Sequence, residues 1–211
     1  MTSPRRALVL VDIQNDYFGG PLEIQYPPRD TSLKNITKLI ECAESAELPV
    51  VVVQHSLPAD APLFATDSEG WQLHPEVASR VRPCWKQVTK QFGTVFGGTD
   101  VAEWLAEQGV DTVTIAGYMT NNCDLATVAE AEVHGLSAEI ISDATGAVHL
   151  ANDQGEVSAE QVHTTLMVLM HSNFAAVATT EQWITAVSAQ TALEKSDLGS
   201  SALQGARTFE Q

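Results

Sequence analysis

Ala7-Leu8-Val9-Leu10-Val11 is an unbroken aliphatic run that stops on an acid, Asp12. Five apolar residues with no polar alternation describe a strand covered on both faces, which is the condition of a strand inside a parallel sheet. Working outward, Val50–Gln54 repeats the pattern after Pro49, and Thr112–Ala116, Ala138–Ser142 and Ala175–Thr179 supply further runs. Lys86–Lys90 is a weaker one. Helical patterns fill the gaps. Thr31–Ala46 places Leu33, Ile36, Leu39, Ile40 and Ala43 on one stripe, with Thr31 or Ser32 as the cap. Thr99–Gln108 closes at Gly109, and Asn122–His134 closes at Gly135. Ser158-Ala159-Glu160-Gln161 and Thr179-Thr180-Glu181-Gln182 are capping boxes that open two more helices. Strands alternating with helices imply an α/β class, with parallel strands, right-handed crossovers and helices on both faces.

The alternation runs without a linker-like gap, so residues 1–190 read as one domain. Residues 191–211 are polar and irregular and read as a loosely held C-terminal tail. Two long segments, Tyr17–Asp30 and His55–Pro83, read as lid or interface loops. The chain of 211 residues carries 27 acidic and 11 basic side chains, a formal charge of -16. So negative a surface repels phosphate backbones and anionic lipid, which argues against nucleic acid and membrane as partners. Three cysteines, Cys42, Cys84 and Cys123, form no C-x-x-C pair and suit a reducing compartment. The apolar run after Arg6 is too short for a signal-peptide core, so a cytoplasmic location is expected.

Open parallel sheets place their sites at the carboxyl ends of strands. Three residues stand there. Asp12 ends an aliphatic strand, where a carboxylate is costly unless paired. It is either the cap of the turn-prone Asp12-Ile13-Gln14-Asn15-Asp16 segment, a catalytic base, or a phosphoacceptor. Cys123 lies in Gly117-Tyr118-Met119-Thr120-Asn121-Asn122-Cys123, between a strand and the next helix. There the helix dipole and unpaired backbone N–H groups favour a thiolate and can hold an oxyanion. An ordinary buried cysteine is the alternative, and Cys42, mid-helix on the apolar stripe, is read that way. Lys90 ends the weak third strand; alone it reads as a surface charge, but three strand ends in one sheet can bring Asp, Lys and Cys together.

At this point the sequence resembles the isochorismatase-like cysteine hydrolases. Val9-Leu10-Val11-Asp12-Ile13-Gln14-Asn15-Asp16-Tyr17-Phe18 is similar to that family's opening signature. Lys90, with Phe96 six residues on and then Gly98-Thr99-Asp100, resembles its lysine segment. Gly117 through Cys123, continuing to Ala126-Thr127, resembles its nucleophile turn, and Ser142-Asp143-Ala144 fits the segment after the fifth strand. Order and spacing agree from about Ala7 to Thr180. The resemblance implies a three-layer Rossmann-like fold with a six-stranded mainly parallel sheet. It also implies an Asp12–Lys90–Cys123 triad and a cis peptide bond at Tyr118–Met119. The oxyanion donors would be the backbone N–H groups of Met119 and Cys123. Cleavage of a C–N bond in a small amide-type or carbamoyl-type molecule would follow, through a thioester and without a cofactor. Family members commonly assemble, so a homodimer or homotetramer is expected.

Phe18, His55, Phe96, Tyr118 and Trp71 are candidates for the pocket wall, with simple packing as the competing reading. The metal-holding Asp-x-His pair of the family's nicotinamidases has no counterpart in Gln54-His55-Ser56-Leu57-Pro58, so a metal site is not expected. Vinyl-ether hydrolysis of the isochorismatase type needs no thiol, and the presence of Cys123 disfavours it. A receiver-like phosphoacceptor module would need paired acids at Asp12, and Val11 stands in the adjoining position. A catalytically silent, partner-binding family member is the remaining alternative.

Overall fold

The structure, a computed structural model, describes residues 3–209. Six parallel strands form one sheet: β1 (Arg6–Val11), β2 (Val50–His55), β3 (Lys86–Lys90), β4 (Thr112–Tyr118), β5 (Ser137–Gly146) and, after a separate hairpin, β8 (Ala175–Ala178). Their order is β3-β2-β1-β4-β5-β8. All five ladders are parallel. The hairpin is β6 (Leu150–Asn152) with β7 (Gly155–Val157), an antiparallel pair outside the main sheet. The helices are α1 (Arg29–Ser45), α2 (Pro75–Ala78), α3 (Val101–Glu107), α4 (Leu125–Ala131), α5 (Ala159–Asn173), α6 (Thr180–Ala189) and α7 (Leu198–Phe209).

Alternation along β1 divides the core between two faces. Leu8 and Leu10 join Ile36, Leu39 and Ile40 of α1 and Trp183 of α6. Ala7, Val9 and Val11 face the other way, with Leu105 of α3, Val128 of α4 and Met170 of α5. With both faces covered, a central strand has no use for polar residues, and β1 is fully buried along its length. Arg6 at its base is the exception. Its guanidinium donates to Glu139 at 2.8–3.1 Å, and Glu139 also accepts from Thr114 and Trp183. The buried pair is therefore hydrogen-bonded on both sides, as such a pair must be.

Several expectations need correction. The first helix begins at Arg29 after Pro28, so neither Thr31 nor Ser32 caps it. Ser32 is buried, and its hydroxyl lies 2.8 Å from that of Tyr118. The helix expected over Asn122–His134 is three pieces: a π-turn over Thr120–Asp124, then α4, then a 3-10 turn over Glu132–His134. It does end at Gly135, in the left-handed region at φ 71°. The tail is not irregular: it carries α7, which seats against α5 across a cleft lined by Met167, His171 and Gln204. Among the described residues, no helix is long and apolar enough to cross a membrane.

Candidate active site

The strand order reverses direction between β1 and β4, the place where open sheets of this class leave a crevice. Asp12 follows β1 and Cys123 follows β4, so the two flank that point, while Lys90 arrives from the edge strand β3. Close approach is possible because residue 117 is glycine. It sits at φ 128°, and a Cβ there would collide with the carbonyl of Val11, the residue before Asp12. Asp12 itself has φ 49°, an uncommon conformation for a residue with a side chain, and strain of that kind collects at functional sites. The Tyr118–Met119 bond is cis.

Lys90, buried with Asp12 and Cys123, is the hub. Its Nζ lies 2.6 Å from Asp12 Oδ2, 3.2 Å from Cys123 Sγ and 3.3 Å from His55 Nδ1. An ammonium has three N–H donors, and three groups able to accept surround this one: Asp12 as an ion-pair partner, the Cys123 sulfur and the His55 ring. His55 can accept because burial, and then the charge of Lys90, press its pKa down to about 4, leaving a neutral imidazole near pH 7. Burial alone would lower Lys90, but Asp12 and then Cys123 outweigh it and raise the pKa. Asp12 is raised by burial, against Lys90, the Cys123 thiol and the His55 backbone. Burial pushes the Cys123 thiol far up, with Asp12 adding to the effect and Lys90 opposing it. Burial and Asp12 thus work against the thiolate expected at this turn, and Lys90 works for it. Cys123 stands in the π-turn that leads directly into α4.

The ligand atoms of Asp12, His55 and Cys123 lie within 4.8 Å of one another, a spacing that a metal ion can bridge. Lys90 Nζ already touches all three, so the ammonium is the cation of this cluster and the donor set does not fit a metal beside it. His55 is fixed by Gln14, whose side chain accepts from the His55 N–H at 2.8 Å and donates to the carbonyls of His55 and Trp71. His55 also meets the ring of Phe64, which lies against Tyr17, and Asp16 accepts the Phe64 N–H.

The structure thus gathers Asp12, Lys90, Cys123 and His55, with Met119 opening the turn that carries the thiol. Phe18 and Tyr118 pack edge-on, with ring centroids 5.7 Å apart, and both join the core cluster of Leu8 and Leu10, whereas Cys123 belongs to the other cluster. Phe96 lies against His134, beyond the far end of α4, and belongs to the core there. Sequence reasoning passed over Gln14, Tyr17, Phe64 and Asp124. The signal for Gln14 was its place two residues after Asp12; for Asp124 it was an acid directly following the thiol.

Known proteins bear on this arrangement. The Isochorismatase domain model matches residues 6–182. The isochorismatase family protein YddQ of Bacillus subtilis (strain 168), itself uncharacterised, is 32% identical over 182 residues, 84% of this chain and 98% of its own. The nicotinamidase of Escherichia coli (strain K12) is 26% identical over 184 residues, 70% of this chain and 85% of its own. Among solved structures, an isochorismatase-type protein from Burkholderia xenovorans LB400 superposes with a TM-score of 0.94 at 45% identity, covering 98% of this chain and 99% of that one.

Proposed function

The chain belongs to the isochorismatase family of hydrolases, and on that premise we propose that it hydrolyses the C–N bond of a small amide-type or carbamoyl-type molecule, with Cys123 as nucleophile. The observation that carries the reading is the contact of Lys90 Nζ with both Asp12 Oδ2 and Cys123 Sγ in a buried site. A relative named a nicotinamidase, hence an amide hydrolase, supports the same bond class.

Asp12 takes the thiol proton as Sγ bonds to the substrate carbonyl carbon, and the carbonyl π electrons move to oxygen. The backbone N–H groups of Met119 and Cys123 receive that oxyanion. As the carbonyl re-forms, the C–N bond breaks and Asp12 returns the proton to the leaving nitrogen, giving a thioester and ammonia or an amine. Water then gives its proton to Asp12 and attacks the thioester; the C–S bond breaks, and Asp12 restores the proton to sulfur. Lys90 stays protonated throughout, holds Asp12 and Cys123 in contact, and offsets the negative charge passing between them. The raised thiol pKa suits this scheme, because deprotonation is then coupled to attack rather than completed beforehand.

The test is ammonia release from a panel of small amides, carbamoyl compounds and ureides, with quenched intact-mass analysis for an acylated protein. The wild type should show both. Cys123→Ala should show neither, and Asp12→Asn should lose about 10²–10⁴ in kcat/KM, the usual scale of general acid–base work. Unchanged turnover in Cys123→Ala would remove the cysteine mechanism.

A further inference from the structure

Gln14 and His55 have no part in the scheme above, yet a fully buried amide holds them together. Strand β1 ends at Val11, and the carbonyl of Asp12 turns aside to accept the Gln14 N–H at 2.7 Å. Strand β2 runs on past that point. Val53 still accepts the Asp12 N–H at 3.0 Å, but the N–H and carbonyl of His55 face the place where β1 has stopped. Unpaired backbone groups inside a protein are costly. The Gln14 side chain closes the gap: Oε1 accepts the His55 N–H at 2.8 Å, and Nε2 donates to the His55 carbonyl at 2.9 Å. Its carboxamide stands where the next peptide group of β1 would have been.

What this brace fixes is the His55 ring. His55 stands opposite Lys90 in the β2–β3 ladder, so the two side chains leave the same face of the sheet. Nδ1 lies 3.3 Å from Lys90 Nζ, and the ring meets Phe64 edge-on with centroids 5.4 Å apart. The Lys90 side chain is 0% exposed, so its ammonium depends on acceptors within the protein. Asp12 and Cys123 are two, and His55 is the third. An ammonium has no lone pair, so Nδ1 must accept and the ring proton must sit on Nε2. Burial, then Lys90, holds the His55 pKa at about 4, which leaves Nδ1 free to accept near neutrality. A hydrocarbon in place of that acceptor would strand one buried N–H. The ammonium would then be drawn to Asp12, its anionic neighbour, at the expense of the contact with sulfur.

We propose that His55 is a positioning residue: its ring accepts one N–H of Lys90, so that the ammonium stays turned toward both Asp12 and Cys123, and Gln14 braces His55 for that task. The imidazole is thereby assigned to the lysine and not to the substrate. The inference rests on Cys123 being the nucleophile, and the experiment separates the two. Nitrogen NMR of isotope-labelled histidine near neutral pH should show His55 with a bare Nδ1 and a protonated Nε2, its signals being those lost in His55→Asn. That reading is made on the wild type and stands even if His55→Leu fails to fold. Iodoacetamide and methyl methanethiosulfonate are then reacted with wild type, His55→Leu and His55→Asn, and labelling at Cys123 is divided by that at exposed Cys84. Leucine fills the space without an acceptor, and asparagine sets an oxygen near the place of Nδ1. The Cys123 rate should fall about tenfold in His55→Leu with both reagents, the scale of one pKa unit at the thiol. It should recover in His55→Asn, with thermal melts confirming that both variants are folded. A protonated Nδ1 in the wild type, or a folded His55→Leu with the wild-type rate, overturns the role of His55 and leaves the nucleophile intact. So does an equal loss in both variants, which would make His55 a packing residue, or a loss with iodoacetamide alone, which would assign it to the amide of the probe. Failure of wild-type Cys123 to react with either reagent overturns the nucleophile, and this inference with it.

Discussion

Asp124, 0% exposed and with no hydrogen-bond partner for either oxygen among the described residues, makes a statement about stability, because burial raises its pKa well above that of an ordinary carboxyl. In the unfolded chain this group ionises near pH 4. The folded chain keeps the proton to higher pH, so above pH 4 the native state binds more protons than the unfolded one. The stabilisation is fully present below about pH 4 and is lost as pH rises through the folded pKa. An asparagine cannot ionise and is spared that loss. Asp124→Asn and wild type should therefore draw together near pH 4, and the variant should gain on the wild type toward pH 8 by about 1–3 kcal/mol, the cost of an unsatisfied buried polar group. Urea melts at pH 4, 6 and 8 measure this; a constant offset would mean that the carboxyl has a partner. Asp12, raised by the same cause, has Lys90 to compensate it.

At the scale of elements, what was legible follows from what is buried. Five of the six strands were read from apolar runs, because strands covered on both faces leave little room for anything else, whereas β3, Lys86–Lys90 at the sheet edge, is only partly buried and gave the weaker signal. The meeting of Asp12, Lys90 and Cys123 was legible for the converse reason: an acid, a lysine and a thiol stood where strands end. The π-turn at Thr120–Asp124 was not, since one extra residue in a turn leaves the local apolar pattern unchanged. The β6–β7 hairpin buries nothing, and so writes no periodicity into the sequence. Helix α7 was read as tail because all its residues are exposed or half-buried, including Leu198, Leu203 and Phe209. It forms through local chemistry instead: Asp197 accepts from the Ser200 N–H at 2.8 Å and from the Ser200 hydroxyl at 2.6 Å. A helix held by its cap and one shallow face should open separately from the sheet. Asp197→Ala should speed amide exchange across Leu198–Phe209 about fivefold, the scale of a lost cap, with β1 and β4 unaffected. Speeding of neither segment, or equal speeding of both, would contradict an independently opening α7.

For the molecule as a whole, the formal charge of -16 suggests that acidification should stabilise, by relieving self-repulsion. Two histidines oppose this. His55 is half-buried at the site, and His163 lies on α5 with Nδ1 3.0 Å from the hydroxyl of Thr120, in the turn that carries Cys123. Burial, then Lys90, lowers His55 to about 4; burial lowers His163 to about 4, against the backbone of Ser142. The unfolded chain protonates both near pH 6.5, while the folded chain refuses the proton until about pH 4. Stability from these groups is present above pH 6.5 and is lost as pH falls through the folded pKa. His163 is the more enclosed, with its ring also against Tyr26, so its share is the larger, on the order of 3 kcal/mol between pH 6.5 and 4. Glutamine can keep the bond to Thr120 without titrating. His163→Gln should match the wild-type slope above pH 6.5 and lose less stability below it, as read from denaturant melts at pH 4.5, 5.5, 6.5 and 7.5. Because Thr120 ties α5 to the turn that carries Cys123, the same series should show Cys123 becoming exposed to alkylation in acid earlier in the wild type than in the variant. Parallel stability curves would place the acid limit in the carboxylates instead, and would detach the turn from α5.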